Sequence, residues 1–294
     1  MNDKEFYKRV RDVFRPETLR RKKVMVIGVG SGGCRVVAEI GRLGVAQVLI
    51  ERPGELLEEH NIIRHLLGYD WLGRPKLLGV AQYIRNLNPT VEIDTIELDV
   101  LAEKEELGNR VEQMRPDLIL VCTDNEQSKH AVDEVAVRLG VPVVGAGVYD
   151  GGVGGEVYVM RPGAACYGCI AAQLGLETRT GDKGLNLDYN QLNLDEIRST
   201  CALNLDIEQI ALIHARVALN LLLAGETDLL GLPPGVNHLV FANRIVPGTF
   251  ERPLHCDFRI YAKRPDCLVC GDIPQGIQAE ADRIRASLAA AEEP

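Results

Sequence analysis

A short apolar run, Val24-Met25-Val26-Ile27, passes straight into Gly28-Val29-Gly30-Ser31-Gly32-Gly33. Val36, Val37, Ile40 and Leu43 then fall on one side of a helix that Gly44 ends. A strand, a G-x-G-x-x-G turn and a helix in immediate succession admit few folds. Gly28, Gly30 and Gly33 permit a tight turn and close backbone approach, and the helix N-terminus faces an anion with unpaired N–H groups. The pattern predicts a nucleotide-binding start to the chain. Alone it fits NAD, FAD, S-adenosylmethionine or ATP, and a glycine-rich turn with no ligand looks the same.

The rhythm continues for about 150 residues. A second strand over 45–50 stops at Glu51, where an acid can hydrogen-bond ribose hydroxyls. Leu77, Leu78, Ala81, Ile84 and Leu87 mark a helix closed by Pro89. Further strands are read from Val91, over 117–122 and over 141–146, with a helix over 126–139 between the last two. Alternating strands and helices predict βαβ units in a mostly parallel sheet. Gly151, Gly152, Gly154 and Gly155 then mark a bend before a strand over 156–161. Residues 176–200 are polar and turn-rich, and read as a long functional or mobile loop. An apolar stripe predicts a helix over 205–224, and a second stripe at Ile277, Ala281, Ile284 and Leu288 a C-terminal helix or tail over 273–294.

Charge narrows the class. Lys and Arg number 33 against 42 Asp and Glu, a net charge of −9, which argues against a bulk nucleic-acid or anionic-membrane binder. The imbalance is uneven, because residues 1–23 hold nine basic against four acidic residues. They are read as a basic helical arm, either a solvated face or a site for a phosphate or acidic partner. The apolar stretch around 211–224 is broken by His214 and Arg216 and is too short to span a bilayer. With no apolar secretory segment at the start, a cytoplasmic location is expected. Four of the eight cysteines form two C-x-x-C pairs, Cys166/Cys169 and Cys267/Cys270. In a reducing compartment such pairs bind metal more often than they form disulfides, and four thiolates suit tetrahedral Zn²⁺. A redox pair or an iron–sulfur cluster are the alternatives.

Asn61-Ile62-Ile63-Arg64, Gly73-Arg74-Pro75-Lys76, Cys122-Thr123-Asp124-Asn125 and the two cysteine pairs follow one another in an order that resembles the ThiF/MoeB/HesA family, prokaryotic relatives of the ubiquitin-activating enzymes. The resemblance implies an α/β fold: a Rossmann-like, mostly parallel sheet continuing into an antiparallel C-terminal portion, stapled by a four-cysteine zinc site. It divides the chain into the arm 1–23, a nucleotide-binding region 24–165, a zinc-stapled region 166–272 and the tail 273–294. It also implies ATP- and Mg²⁺-dependent adenylation of a C-terminal carboxylate, on a small ubiquitin-like or sulfur-carrier protein ending in Gly-Gly or on a peptide, by a homodimer. Carried over residue by residue, Gly28, Gly30 and Gly33 lie along the nucleotide and Glu51 holds the ribose. Asn61, Arg64 and Lys76 contact the triphosphate, and Asp124 holds Mg²⁺. Cys201 is placed to take a thioester or persulfide.

The sequence departs from the family at Glu51-Arg52-Pro53-Gly54-Glu55, where the family usually has Asp-x-Asp. Counting from Asn61 puts Glu55 on the second acid, and Glu51 serves the ribose only if the loop has gained residues. The family's N-terminal arginine motif is not visible either; Arg9, Arg11 and Arg15 are candidates. Each site residue has a plainer reading: Arg64 and Lys76 as surface cations, Asp124 and Asn61 as helix caps, Cys201 as an incidental thiol. Three other functions stay open: an NAD-dependent oxidoreductase, a non-catalytic scaffold, and adenylation of a modified tRNA carboxylate.

Overall fold

A computed structural model describes residues 3–174 and 201–272. The long loop expected at 176–200 and the C-terminal tail at 273–294 lie outside the described residues. Eight strands form one sheet: β1 (Lys23–Ile27), β2 (Ala46–Glu51), β3 (Ile93–Glu97), β4 (Leu118–Val121), β5 (Val143–Val148), β6 (Gly154–Met160), β7 (His238–Ala242) and β8 (His255–Arg259). Their spatial order is β3-β2-β1-β4-β5-β6-β7-β8. The pairs from β3 to β5 are parallel and those from β5 to β8 antiparallel.

Helices supply the crossovers that parallel strands require. Two short ones, α1 (Asp3–Phe6) and α2 (Pro16–Arg20), precede the sheet. Then come α3 (Gly33–Arg42), α4 (Glu59–Ile62), α5 (Lys76–Leu87), α6 (Lys104–Met114), α7 (Glu126–Leu139), α8 (Tyr167–Leu174) and α9 (Asn204–Leu222). The period-2 alternation of the strands feeds two cores. Val24, Val26, Leu118 and Leu120 face α3, α5 and α9. Met25, Ile27, Ile119 and Val121 face α6, α7 and α8. Strands buried on both faces read as continuous apolar runs, as these do. Among the described residues, no helix is long and apolar enough to cross a membrane.

Two strand boundaries differ from the sequence reading for local reasons. β3 begins at Ile93, because Val91 donates its N–H to the Asn88 carbonyl in the turn after α5. β5 begins at Val143: Val141 donates to Ala136 at the end of α7, and Pro142 has no N–H to give the ladder. The glycine cluster does reverse the chain. Gly151 and Gly152 adopt positive φ (69° and 63°), which lets β6 return antiparallel beside β5.

The basic N-terminal segment is docked on the body. Tyr7, Phe14 and Leu19 are buried. The Tyr7 hydroxyl accepts from Asn88 Nδ2 at 3.1 Å, and Arg20 lies over the Tyr7 ring and pairs with Asp3 at 2.6 Å. Lys22 pairs with Asp117 at 2.9 Å, and the Glu226 carboxylate accepts from the Thr18 hydroxyl and the Arg15 N–H. Leu19→Ala should therefore destabilise the protein by about 2–5 kcal/mol, the usual cost of a buried leucine. Urea denaturation measures it, and an unchanged midpoint would mean the arm does not pack as described.

Candidate nucleotide site and cysteine cluster

Strand order reverses between β1 and β4, and open α/β sheets bind ligands at such a switch point. A cavity of about 430 Å³ lies there, over the carboxyl ends of β1, β2, β4 and β5. Its floor is the glycine turn. Gly28 has φ +92°, and its N–H donates to Ile50 at 2.8 Å. A Cβ on Gly33 would stand 2.2 Å from the Gly28 carbonyl oxygen and 2.9 Å from Cys122 Cβ, so only glycine lets α3 start this close to β1. A Cβ on Gly30 would meet nothing within 4 Å, so this glycine borders open space. The N-terminus of α3 and the backbone around it form a cradle suited to a phosphate.

Glu51 ends β2 inside the cavity wall. One carboxylate oxygen accepts from Val29 N–H at 2.8 Å and the other from Arg52 N–H at 3.1 Å. Burial pushes its pKa up, and those two bonds oppose the rise. Glu55 is elsewhere: it pairs with Arg52 at 2.7 Å and with Lys76 Nζ at 3.0 Å, and this company holds its carboxyl below the usual range against the effect of burial. Of these two acids, Glu51 is the one that lines the cavity, where Asp99 stands as a further acid that the sequence reading did not single out.

Of the other predicted residues, Arg64 and Asp124 line the cavity with Gly28, Gly30, Gly33 and Glu51. Asn61 does not line it; its Oδ1 accepts from Glu58 N–H at 3.0 Å and caps α4. Lys76 opens α5, mostly buried against Glu55. The cap of α7 is Asn125, whose side chain accepts from Ser128 N–H, so Asp124 is not the cap. Cys201 is exposed, its N–H donating to Asp150 at 3.2 Å, and its neighbour Ala202 lines the cavity.

Two histidines to which the sequence reading gave no role hold the walls. His65 Nε2 lies 3.0 Å from the Val29 carbonyl, while its Nδ1 accepts from Leu67 N–H at 3.2 Å. That pairing requires the neutral ring with the proton on Nε2. His214, on α9, lines the cavity, with Nε2 3.1 Å from the Val144 carbonyl and Nδ1 4.0 Å from Cys122 Sγ. Burial lowers both imidazoles to about 4. Burial likewise keeps the Cys122 thiol protonated. No spacing signal marks either histidine, although His65 directly follows Arg64.

The second feature lies on the other face of the sheet. Cys166 and Cys169, at the start of α8, meet Cys267 and Cys270, and all four sulfurs lie within 4.8 Å of one another. Cys166 Sγ is 3.5 Å from Cys267 Sγ, Cys169 Sγ is 3.4 Å from Cys270 Sγ, and Cys166 Sγ is 3.9 Å from Cys169 Sγ. Four sulfurs at ~2.3 Å from one Zn²⁺ would be separated by about 3.8 Å, so the cluster could hold zinc in a closed structural site. The Arg264 N–H also points at Cys169 Sγ, at 3.3 Å.

With fold and cavity in place, comparison with known proteins assigns the lineage. The profile of the ThiF family matches residues 9–228. The chain belongs to the ThiF family. This family member is 25% identical over 269 residues to the adenylyltransferase and sulfurtransferase uba4 of Aspergillus niger, covering 86% of this chain and 48% of that protein. It is 30% identical over 167 residues to the sulfur carrier protein adenylyltransferase of Thermus thermophilus, covering 52% and 57%. The chain thus spans about half the length of the curated relatives it matches. The crystal structure of Escherichia coli MccB with ATP shares the fold, with a TM-score of 0.67 at 18% identity over 87% of this chain and 69% of that one. The expected architecture, parallel and then antiparallel with a cysteine staple, is present in the ThiF-family chain described here.

The buried histidines give an acid limit to stability. Both are neutral in the fold and take up a proton near pH 6.5 when unfolded, so the unfolded chain binds more protons as pH falls. Their contribution is complete above about pH 6.5 and is lost toward pH 4, at up to about 1.4 kcal/mol per pH unit for each. His214→Gln keeps an N–H donor for Val144 and should flatten the stability curve between pH 6.5 and 4. Urea unfolding at several pH values tests this; an unaltered slope would show that His214 titrates normally.

Proposed function

We propose that this ThiF-family chain uses ATP and Mg²⁺ to adenylate the C-terminal carboxylate of a small ubiquitin-like or sulfur-carrier protein ending in Gly-Gly, or of a peptide. One observation carries the reading: the glycine turn, Glu51, Arg64 and Asp124 converge on a single cavity. Relatives named as adenylyltransferases and ubiquitin-like activating enzymes support it.

The chemistry asks for charge stabilisation. A C-terminal carboxylate is already ionised at pH 7, so no general base is required. Its attack on the α-phosphorus forms an acyl–phosphate bond and breaks the bond to pyrophosphate, placing negative charge on the departing oxygens. The Gly28–Gly33 turn and the start of α3 cradle phosphate, and each Glu51 oxygen keeps acceptor capacity for a ribose hydroxyl. Arg64 grips two phosphate oxygens at once, whereas Lys76, outside the cavity lining and paired with Glu55, and Asn61, held in the cap of α4, would reach the triphosphate only by leaving those partners. Asp124 would hold Mg²⁺, which neutralises phosphate charge when bound. The apolar wall of Val148, Ile207 and Ile210 receives the extended tail of the acceptor. The exposed Cys201 thiol is the candidate to attack the acyl carbon next, releasing AMP and forming a thioester.

We further propose a homodimer. Ile63, Tyr69, Leu72 and Leu78 are exposed within one short stretch, Ile63 at 80%, and a second copy would cover such a surface. Ile63→Asp should yield a monomer by light scattering, and a dimer that survives it would place the interface elsewhere.

Arg64→Ala and Asp124→Ala should each slow carrier-dependent exchange of pyrophosphate into ATP by ~10²–10³-fold. Full exchange in both variants would remove this assignment. Carrier binding without ATP-dependent AMP release would favour a scaffold, and tight NADH binding without ATP binding an oxidoreductase.

A further inference from the structure

Tyr167 sits inside the first cysteine knuckle, between Cys166 and Cys169, and is almost wholly buried. It holds α7 at two points. Its backbone N–H donates to Asp133 Oδ2 at 2.9 Å. Its hydroxyl donates to the Glu126 carboxylate, the first residue of α7. The other Glu126 oxygen accepts from Lys129 Nζ, which is fully buried and lies 5.5 Å from the centre of the Tyr167 ring. Glu126 and Asp133 are two turns apart, about 10 Å along the helix axis. Two anchors at that spacing fix the helix's tilt as well as its position.

The clamped end of α7 is the end that meets the cavity. Glu126 follows Asn125, the cap of α7, and Asp124, both of which line the cavity. We infer that Tyr167 is a positioning residue, through which the cysteine cluster sets the place of the loop bearing Asp124. The inference rests on the nucleotide reading of the cavity. The bond from the almost wholly buried Tyr167 hydroxyl to the partly buried Glu126 carboxylate carries this role: without the hydroxyl, one Glu126 oxygen loses its protein donor and the start of α7 loses one of its two anchors to the knuckle. The knuckle then does more than staple the last strand to the body, since its inner residue also reaches the opposite end of α7 from the helix's own C-terminus.

The test compares the full-length wild type with Tyr167→Phe, which leaves all four sulfurs untouched. Zinc content, hydrogen exchange of the amides at 122–130, and affinity for a non-hydrolysable ATP analogue with Mg²⁺ are measured on both. Tyr167→Phe should keep the zinc content of the wild type, exchange several-fold faster at 122–130 but not in β1, and bind the analogue roughly tenfold more weakly. Cys267→Ser, provided its far-ultraviolet circular dichroism is retained, should speed exchange in the same segment, and adding Tyr167→Phe to it should speed it little further. Wild-type exchange at 122–130 in Tyr167→Phe overturns the inference, as does an equal acceleration throughout the chain, which would mark general loosening. If the wild type itself fails to bind the analogue, the nucleotide reading is what fails, and exchange at 122–130 still decides whether the clamp exists.

Discussion

The close approach of Gly33 to Gly28 lets the nucleotide end of the sheet assemble. At Gly33 only a hydrogen fits beneath the Gly28 carbonyl, and this allows α3 to begin directly where β1 ends. From that junction Gly28 reaches Ile50, Val29 reaches Glu51 with its N–H, and His65 reaches the Val29 carbonyl. Two segments distant in sequence, the end of β2 and the loop bearing His65, are thereby tied to one turn. A bulkier residue at 33 would have to push α3 outward, and the acid of β2 would lose the amide that orients it.

The α/β class, the order of most elements and the pairing of the cysteines were legible in the sequence, because each rests on local spacing. Apolar runs four to six residues long, separated by amphipathic helices, leave little choice of sheet. Side-chain partners that depend on the path of a loop were not legible. Counting along the chain could not decide between Glu51 and Glu55, since 52–55 form a loop whose course is set by the ion pairs of Glu55 with Arg52 and Lys76. The basic segment before β1 reads as a charged arm, yet Tyr7, Phe14 and Leu19 anchor it. Three apolar residues spread over thirteen positions make no periodic signal.

The two faces of the sheet divide the labour. On one face α3 and α9 frame the cavity with backbone amides and the neutral, buried His214, while charged groups of the cavity, among them Glu51, Arg64 and Asp124, come from a strand end and loops. On the other face lie the cysteine cluster and a dense polar cluster around Tyr167. Helix α7 belongs to the second face but starts at the first, which makes it the physical route between them.

The separation of the two cysteine knuckles bears on biosynthesis. Cys166 and Cys267 are 101 residues apart in sequence. A ribosome adding about 5–20 residues per second needs roughly 5–20 s to make the second pair after the first. For that interval the parallel strands and α3 to α7 are complete while two thiols of the nascent chain have no partners. Those thiols are open to oxidation or to the wrong metal while α9, β7 and β8 are being made, and the exposure ends only when the segment after β8 brings Cys267 and Cys270.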